Sequence, residues 1–274
     1  MSEPSHWLPL SVFAVFIVMA VGAPLLAPYG PAEVVRTDGS LVRLSPPSFA
    51  HPFGTTSYGH DVLSQVIWGS RRALVIGGSA AAVALLIGVN VGLVAGYLRG
   101  PVDAVLMRIT DMAFALPFLP LAIVLIGLFG RSDLTLLLVI GFLFWRTTAR
   151  VVRSQVLSVK ERTFVQAARV AGASAPRVLF RHIAPNVFNI AALYGILLIS
   201  EAVLAEAMLS FLGLAPAGST SWGTVMNAAF NSGQLRIAWW WAFFPGLFIT
   251  LFVLATSLLG VAYEKSRRLR GEER

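Results

Sequence analysis

Two carboxylates five residues apart, Glu201 and Glu206, are the groups in this 274-residue chain best suited by type to general acid and base work. On a helix of 3.6 residues per turn, that spacing sets them about 140° apart around the axis. They do not converge on one reacting atom, which leaves a membrane-embedded enzyme built on them poorly supported. The four histidines, His6, His51, His60 and His182, have no i, i+4 histidine partner and no cysteine near them, so no metal site is expected. The chain has no cysteine at all, which excludes disulfides, thiolate catalysis and cysteine metal sites. It has no G-x-S-x-G elbow and no P-loop, and no cofactor is expected. What remains is Glu201 and Glu206 inside an apolar stretch, and ionisable groups in such stretches are candidates for lining a solute path. A structural hydrogen bond or an interfacial position accounts for them equally well.

The elements that must position these groups are membrane helices. Hydrophobic residues make up 57% of the chain and charged residues only 12%, against about 25% charged in soluble domains. Apolar runs near 7–27, 71–98, 112–130, 133–152, 187–208 and 237–262 give an expectation of six spans in an all-α polytopic membrane protein. The net charge of +8 is uneven rather than diffuse. Eight basic residues and one acid, Glu161, lie between Arg146 and Arg181, and five basic residues and three acids lie between Glu264 and Arg274. The segment 209–236 carries a single charge, Arg236. Positive-inside sorting explains this without nucleic acid and puts both termini on the cytoplasmic side. Met1 to His6 contain no Lys or Arg, so the first apolar run reads as a retained helix rather than a signal peptide.

The chain divides into 1–70, a first helix and external segment, and 71–274, a five-helix core with a basic insert at 160–186. In the external segment a helix is expected from Asp61, with Val62, Val66 and Ile67 on one face. Trp68 suits an interface, and Trp239, Trp240 and Trp241 read as an aromatic belt. Arg71 and Arg72 go against the sidedness rule. The second span is crowded with Gly and Ala, which allow close helix approach in lipid. Asp111 is placed to pair with Arg108 at i, i+3. The segment 209–236 is too polar and broken to span, and it reads as a loop folded into the external mouth.

The insert FVQAARVAGASAPRVLFRHIAPN (164–186) reads as two short helices. Phe164, Ala168 and Ala171 share one face of the first, opposite Arg162, Gln166 and Arg169. Gly172 ends it. Ser174 caps the second, with Pro176 in its first turn, Leu179, Phe180 and Ile183 as its apolar side and Pro185 as its stop. Spacing alone leaves two readings open: a solvated loop whose arginines set topology, or a small-residue face that docks a partner.

The stretch Gln166-Ala167-Ala168, Gly172, Ile183-Ala184-Pro185 resembles the EAA loop of ABC importer permeases, whose pattern runs E-A-A, three residues, Gly, then I-x-L-P. Gln replaces the Glu, and Ala the Leu before Pro. HPFGTTSYGHDVLSQVIWG (51–69) is similar to HPFGTDxLGRDVLSRxIYG of the dipeptide/oligopeptide/nickel subgroup, in its second-permease type. DAVLMRITDMAFALP (103–117), LAEAMLSFLGL (204–214) and Ser221-Trp222-Gly223 resemble other segments of that group, in order along nearly the whole chain. Tyr58 and His60 stand where Leu and Arg are usual, Thr56 where Asp is, and the tail lacks an Arg-Asp…Asp-Pro ending.

The resemblance implies the type I ABC importer permease fold in a bacterial cytoplasmic (inner) membrane, with no catalysis of its own. It implies a second homologous permease, two ATPase subunits and an extracytoplasmic substrate-binding protein. Arg162, Phe164, Gln166, Ala167, Ala168, Arg169, Gly172, Ala173, Ser174, Arg177, Ile183 and Pro185 would form the coupling element seated in an ATPase groove. Glu201, Glu206, Ser221 and Trp222 would be pore or external-gate groups. Short peptides are the implied cargo; nickel chelates are the same-family alternative. An ATP-independent channel or scaffold is the reading from a different class.

Overall fold

A computed structural model describes residues 7–272, with side-chain surroundings from 9 to 266; Met1 to His6 lie outside it. Helix α1 (Trp7–Val21) is followed after Gly22 by one turn, α2 (Ala23–Leu26). The segment after α2 holds a hairpin of β1 (Arg36–Thr37) and β2 (Ser40–Leu41), registered Arg36 to Leu41, and an isolated bridge between Thr55 and Asp61. Asp38 and Gly39 both take positive φ in its turn, the Asp-Gly chemistry of a two-residue hairpin. Then come α3 (Val62–Leu98), α4 (Gly100–Ala115), α5 (Phe118–Phe129), α6 (Asp133–Val159), α7 (Thr163–Val170), α8 (Ala175–Arg177), α9 (Ala184–Phe211), α10 (Trp222–Asn231) and α11 (Trp240–Glu272).

The six expected spans do not all appear as six simple helices. Four helices among the described residues are long and apolar enough to cross: Val62–Leu98, Asp133–Val159, Ala175–Phe211 and Trp240–Ser266. The run near 112–130 starts midway through α4, and α4 and α5 are apolar enough to cross only as a pair, bent by 93° at the break between them. The break is Leu116–Pro117. Leu116 is extended (φ −80°, ψ 124°), as the steric demand of a following proline requires. The first helix has 15 residues, about 22 Å at 1.5 Å each, short of the roughly 30 Å hydrocarbon core.

Glycines bring α3 against its neighbours. A Cβ on Gly92 would lie 2.7 Å from Ala149 O and Val152 Cβ of α6, and one on Gly96 2.7 Å from Val156 Cβ. These backbones touch without intervening side chains, the packing that lipid favours. α3, α5, α6 and α9 share one core that includes Ile76, Ile126, Ile140 and Leu198. A second core joins α1, the start of α3, α10 and α11 through Phe16, Trp222 and Phe252.

The helix expected from Asp61 forms as read. The Asp61 carboxylate accepts from Ser64 N at 2.8 Å, and Val62, Val66 and Ile67 are all buried. The aromatic belt is a correction. Trp239 is exposed, but Trp240 and Trp241 are buried, and Trp240 Nε1 donates to Thr55 O at 3.2 Å. The external segment folds over them, so they cement loop to helix. Asp111 is a second correction: its partner is Arg150 (2.6 Å), on the neighbouring α6, in place of Arg108.

Candidate functional site

The basic insert is built from two helical pieces seated against the C-terminal halves of α3 and α6. Val165, Val178, Leu179 and Ile183 are buried with Leu93, Val152, Val156 and Val159. Between the pieces, Gly172 has φ +81°. Its N–H donates to Arg169 O at 3.0 Å, and Ala173 N–H donates to Ala168 O at 3.0 Å. These paired bonds are a Schellman ending, which needs a residue at ease in the left-handed region.

Three details differ from expectation. Val165 is the buried residue of α7, while Phe164 and Ala171 are exposed. Ser174 stands at the N-cap of α8, but its side chain makes no capping bond. Pro185 does not end the second helix. The chain runs on from Ala175 to Phe211, passing through a wider π turn at Val178–Ile183. Proline has no N–H to give back along the helix, and a π turn absorbs that defect. The His182 carbonyl accepts from Asn186 Nδ2 at 2.7 Å.

The outward side of the element is apolar and cationic. Phe164, Val170 and Phe180 expose 38%, 90% and 63% of their surface. Arg162, Gln166, Ala167, Arg169 and Arg177 are exposed beside them, and Ala168 and Ala173 are half-buried. Gln166 Nε2 donates to Glu161 O at 3.2 Å.

A cationic cluster that spacing did not reveal ties this element to α3. Lys160 Nζ donates to Tyr97 O at 2.7 Å, satisfying a carbonyl in the last turn of α3, where a cation is favoured. The Tyr97 ring lies 5.7 Å from Lys160 Nζ and 5.5 Å from the Arg169 guanidinium. Burial, with Arg99 and Arg169 nearby, holds the Lys160 ammonium below the usual lysine range.

At the opposite end of α9, Glu206 is fully buried, and it accepts from Ser210 Oγ at 2.7 Å. Arg72 Nε lies 3.4 Å from Glu206 Oε1, and Arg72 Nη2 lies 2.6 Å from Asp133 Oδ1. One arginine therefore joins α3, α6 and α9. Ser221 and Trp222 are buried too. Ser221 and Thr224 form a reciprocal capping box at the start of α10, and Trp222 Nε1 donates to Val66 O at 2.9 Å.

The family described as "Binding-protein-dependent transport system inner membrane component" matches residues 88–269. The chain belongs to this family. It is also 36% identical over 252 residues to the dipeptide transport system permease protein DppC of Bacillus subtilis, covering 92% of this chain and 77% of that protein. It is 32% identical over 253 residues to the oligopeptide transport system permease protein OppC of Haemophilus influenzae, covering 92% and 80%. For OppC of Bacillus subtilis the identity is 34% over 252 residues, covering 92% and 81%. The protein is thus a non-catalytic, multi-pass permease subunit of the type I ABC fold, with ATP hydrolysis left to partner subunits.

In this permease Glu201 and Glu206 part company, as their angular separation requires. Glu206 points into the fold, while Glu201 is exposed on α9 and feels the charge of Arg146 on α6. Arg146 Nη1 donates to Ala113 O at 3.1 Å, meeting a carbonyl freed where α4 breaks. Arg72, Asp133, Arg146, Tyr97 and Lys160 all escaped the sequence reading. Only Arg72 carried a local signal, its external position.

Proposed function

We propose that this chain forms half of the translocation pathway of an ATP-driven importer for short peptides. Its insert at 160–186 seats in a groove of a separate ATPase subunit. One observation carries the coupling reading: Phe164, Val170 and Phe180 are exposed on an element whose other side is anchored in a buried core. A solvated loop that only set topology would have no use for apolar side chains held outward, and such a patch rimmed by Arg162, Arg169 and Arg177 fits a protein partner. The names of the relatives, dipeptide and oligopeptide permeases, support peptides as cargo.

In this reading two ATPases close on nucleotide and move the coupling elements of this chain and of a second, related permease. An extracytoplasmic binding protein delivers cargo to the face formed by 28–61 and 212–221. Both termini are cytoplasmic. Glu201, exposed on α9, lines the path, while Glu206, Ser221 and Trp222 hold its external end in shape. ATP shifts the equilibrium between outward and inward access only as far as it binds one arrangement more tightly.

The test is Gly172→Val in the assembled transporter. A β-branched residue at φ +81° is sterically opposed, so the turn between α7 and α8 must rearrange. Membrane insertion should persist while ATPase subunits fail to co-purify or hydrolyse ATP without peptide uptake. Unchanged coupled uptake would defeat the reading.

A further inference from the structure

Two buried polar atoms without partners lie at the wall of one external cleft. Trp241 is 1% exposed, and its Nε1–H has no hydrogen-bond acceptor among the described residues. Gln65 Oε1 is likewise buried and has no donor. Both residues line a cleft of about 220 Å³ between the segment 28–61, the start of α3, the loop 212–221 and α10. Orphaned donors and acceptors in a folded interior are costly, and each asks for an explanation.

The rest of the lining narrows the chemistry. Tyr58, His60, Ser219 and Thr224 contribute to it, and no carboxylate, lysine or arginine does. His60 Nδ1 donates to Glu33 O at 3.0 Å, which fixes its ring. Tyr58 packs edge-on to Trp241, with ring centroids 6.0 Å apart, and is itself 56% exposed, so it can swing off that indole. Tyr58, His60 and Gln65 are also three positions where 51–69 departs from HPFGTDxLGRDVLSRxIYG, standing for Leu, Arg and Arg. Two arginine positions of that pattern are thus histidine and glutamine in this wall. A lone donor and a lone acceptor in a cleft without carboxylate, lysine or arginine match the C=O and N–H of a secondary amide.

We propose that this cleft is a backbone-amide subsite for cargo at the external mouth of the pathway. Trp241 Nε1 donates to a peptide carbonyl and Gln65 Oε1 accepts from a peptide N–H, once Tyr58 moves aside. Recognition through the main chain tolerates any side chain, which suits a carrier of varied short peptides. The inference rests on the peptide-importer reading above.

The experiment uses the complete transporter in proteoliposomes with saturating loaded binding protein, and it compares uptake of tri-alanine with that of a mono-N-methylated tri-alanine. In the parent transporter N-methylation lowers uptake. Gln65→Leu should lower tri-alanine uptake about two- to tenfold, the range of one hydrogen bond, and N-methylation should then cost little more. Trp241→Phe should lower both peptides in parallel, since it removes the carbonyl's donor. Any discrimination made by the binding protein cancels in this cycle. Gln65→Leu should leave the thermal midpoint of the purified protein unchanged or raised, because it removes an orphaned polar atom. Full additivity of Gln65→Leu with N-methylation would overturn the proposal and leave an ordered water or a binding-protein loop as the occupant. A midpoint lowered by several degrees would overturn it as well, making Gln65 structural. Failure of the parent transporter to take up any peptide would instead defeat the cargo reading and the subsite with it.

Discussion

The two ends of this permease solve opposite problems. At the external end the groups that need partners mostly find them within the chain. Trp222 donates to Val66 O, Arg72 links Asp133 and Glu206, and Ser221 and Thr224 cap each other. At the end that carries the basic insert, Phe164, Val170 and Phe180 stay outside while Val165 and Ile183 anchor the same element. The difference teaches where the protein is incomplete. One end buries most of its large side chains in its own core, and the other holds apolar side chains outward from an anchored element.

The largest stability effect should come from Arg72→Ala. It strands the buried Glu206 carboxylate, and removing one member of a buried pair costs about 3–5 kcal/mol. Denaturant unfolding of the purified permease in detergent would show it, and Arg72→Met with Glu206→Leu should recover most of the loss. A cost below about 1 kcal/mol for Arg72→Ala would mean that the external cap does not depend on this pair.

Two serines sharpen the comparison at lower cost. Ser221 completes a capping box and Ser174 makes no capping bond. Ser221→Ala should therefore lose about 1 kcal/mol, whereas Ser174→Ala should stay within about 0.5 kcal/mol of the parent. Equal costs in the same unfolding assay would contradict the assigned caps.

Tyr97 tests how motion at the coupling element reaches α3. Its ring stands between Lys160 and Arg169, and such contacts are worth about 0.5–2 kcal/mol each. Tyr97→Phe keeps the ring and should leave the ratio of peptide uptake to ATP hydrolysis unchanged. Tyr97→Leu should lower that ratio several-fold with assembly intact. If both variants behave like the parent, the link lies elsewhere.

Much of the two-helix shape of the insert at 160–186 was legible in the sequence because its logic is local. Gly172 sits where a helix must end in the left-handed region, and the insert's charge and small residues stand out against apolar flanks. Pro185 was misread because the rule that proline stops a helix takes no account of a π turn six residues long just before it. The external cap was far less legible. Trp240 finds Thr55 across 185 positions, Trp222 finds Val66 across 156, and Asp111 finds Arg150 rather than its neighbour Arg108. No spacing rule reaches such pairs. The bent span was hidden for a related reason: α4 and α5 together are apolar enough to cross, and hydropathy counts residues without registering the turn at Leu116–Pro117.

The most direct test of the central claim is a binding titration of purified ATPase subunits against the permease carrying Phe180→Ser. Phe180 is 63% exposed, so the substitution should leave stability within about 0.5 kcal/mol. ATPase affinity should weaken at least about tenfold, as expected for an aromatic anchor at an interface. Undiminished affinity with an intact fold would contradict the claim that this outward apolar face is where the ATPase docks.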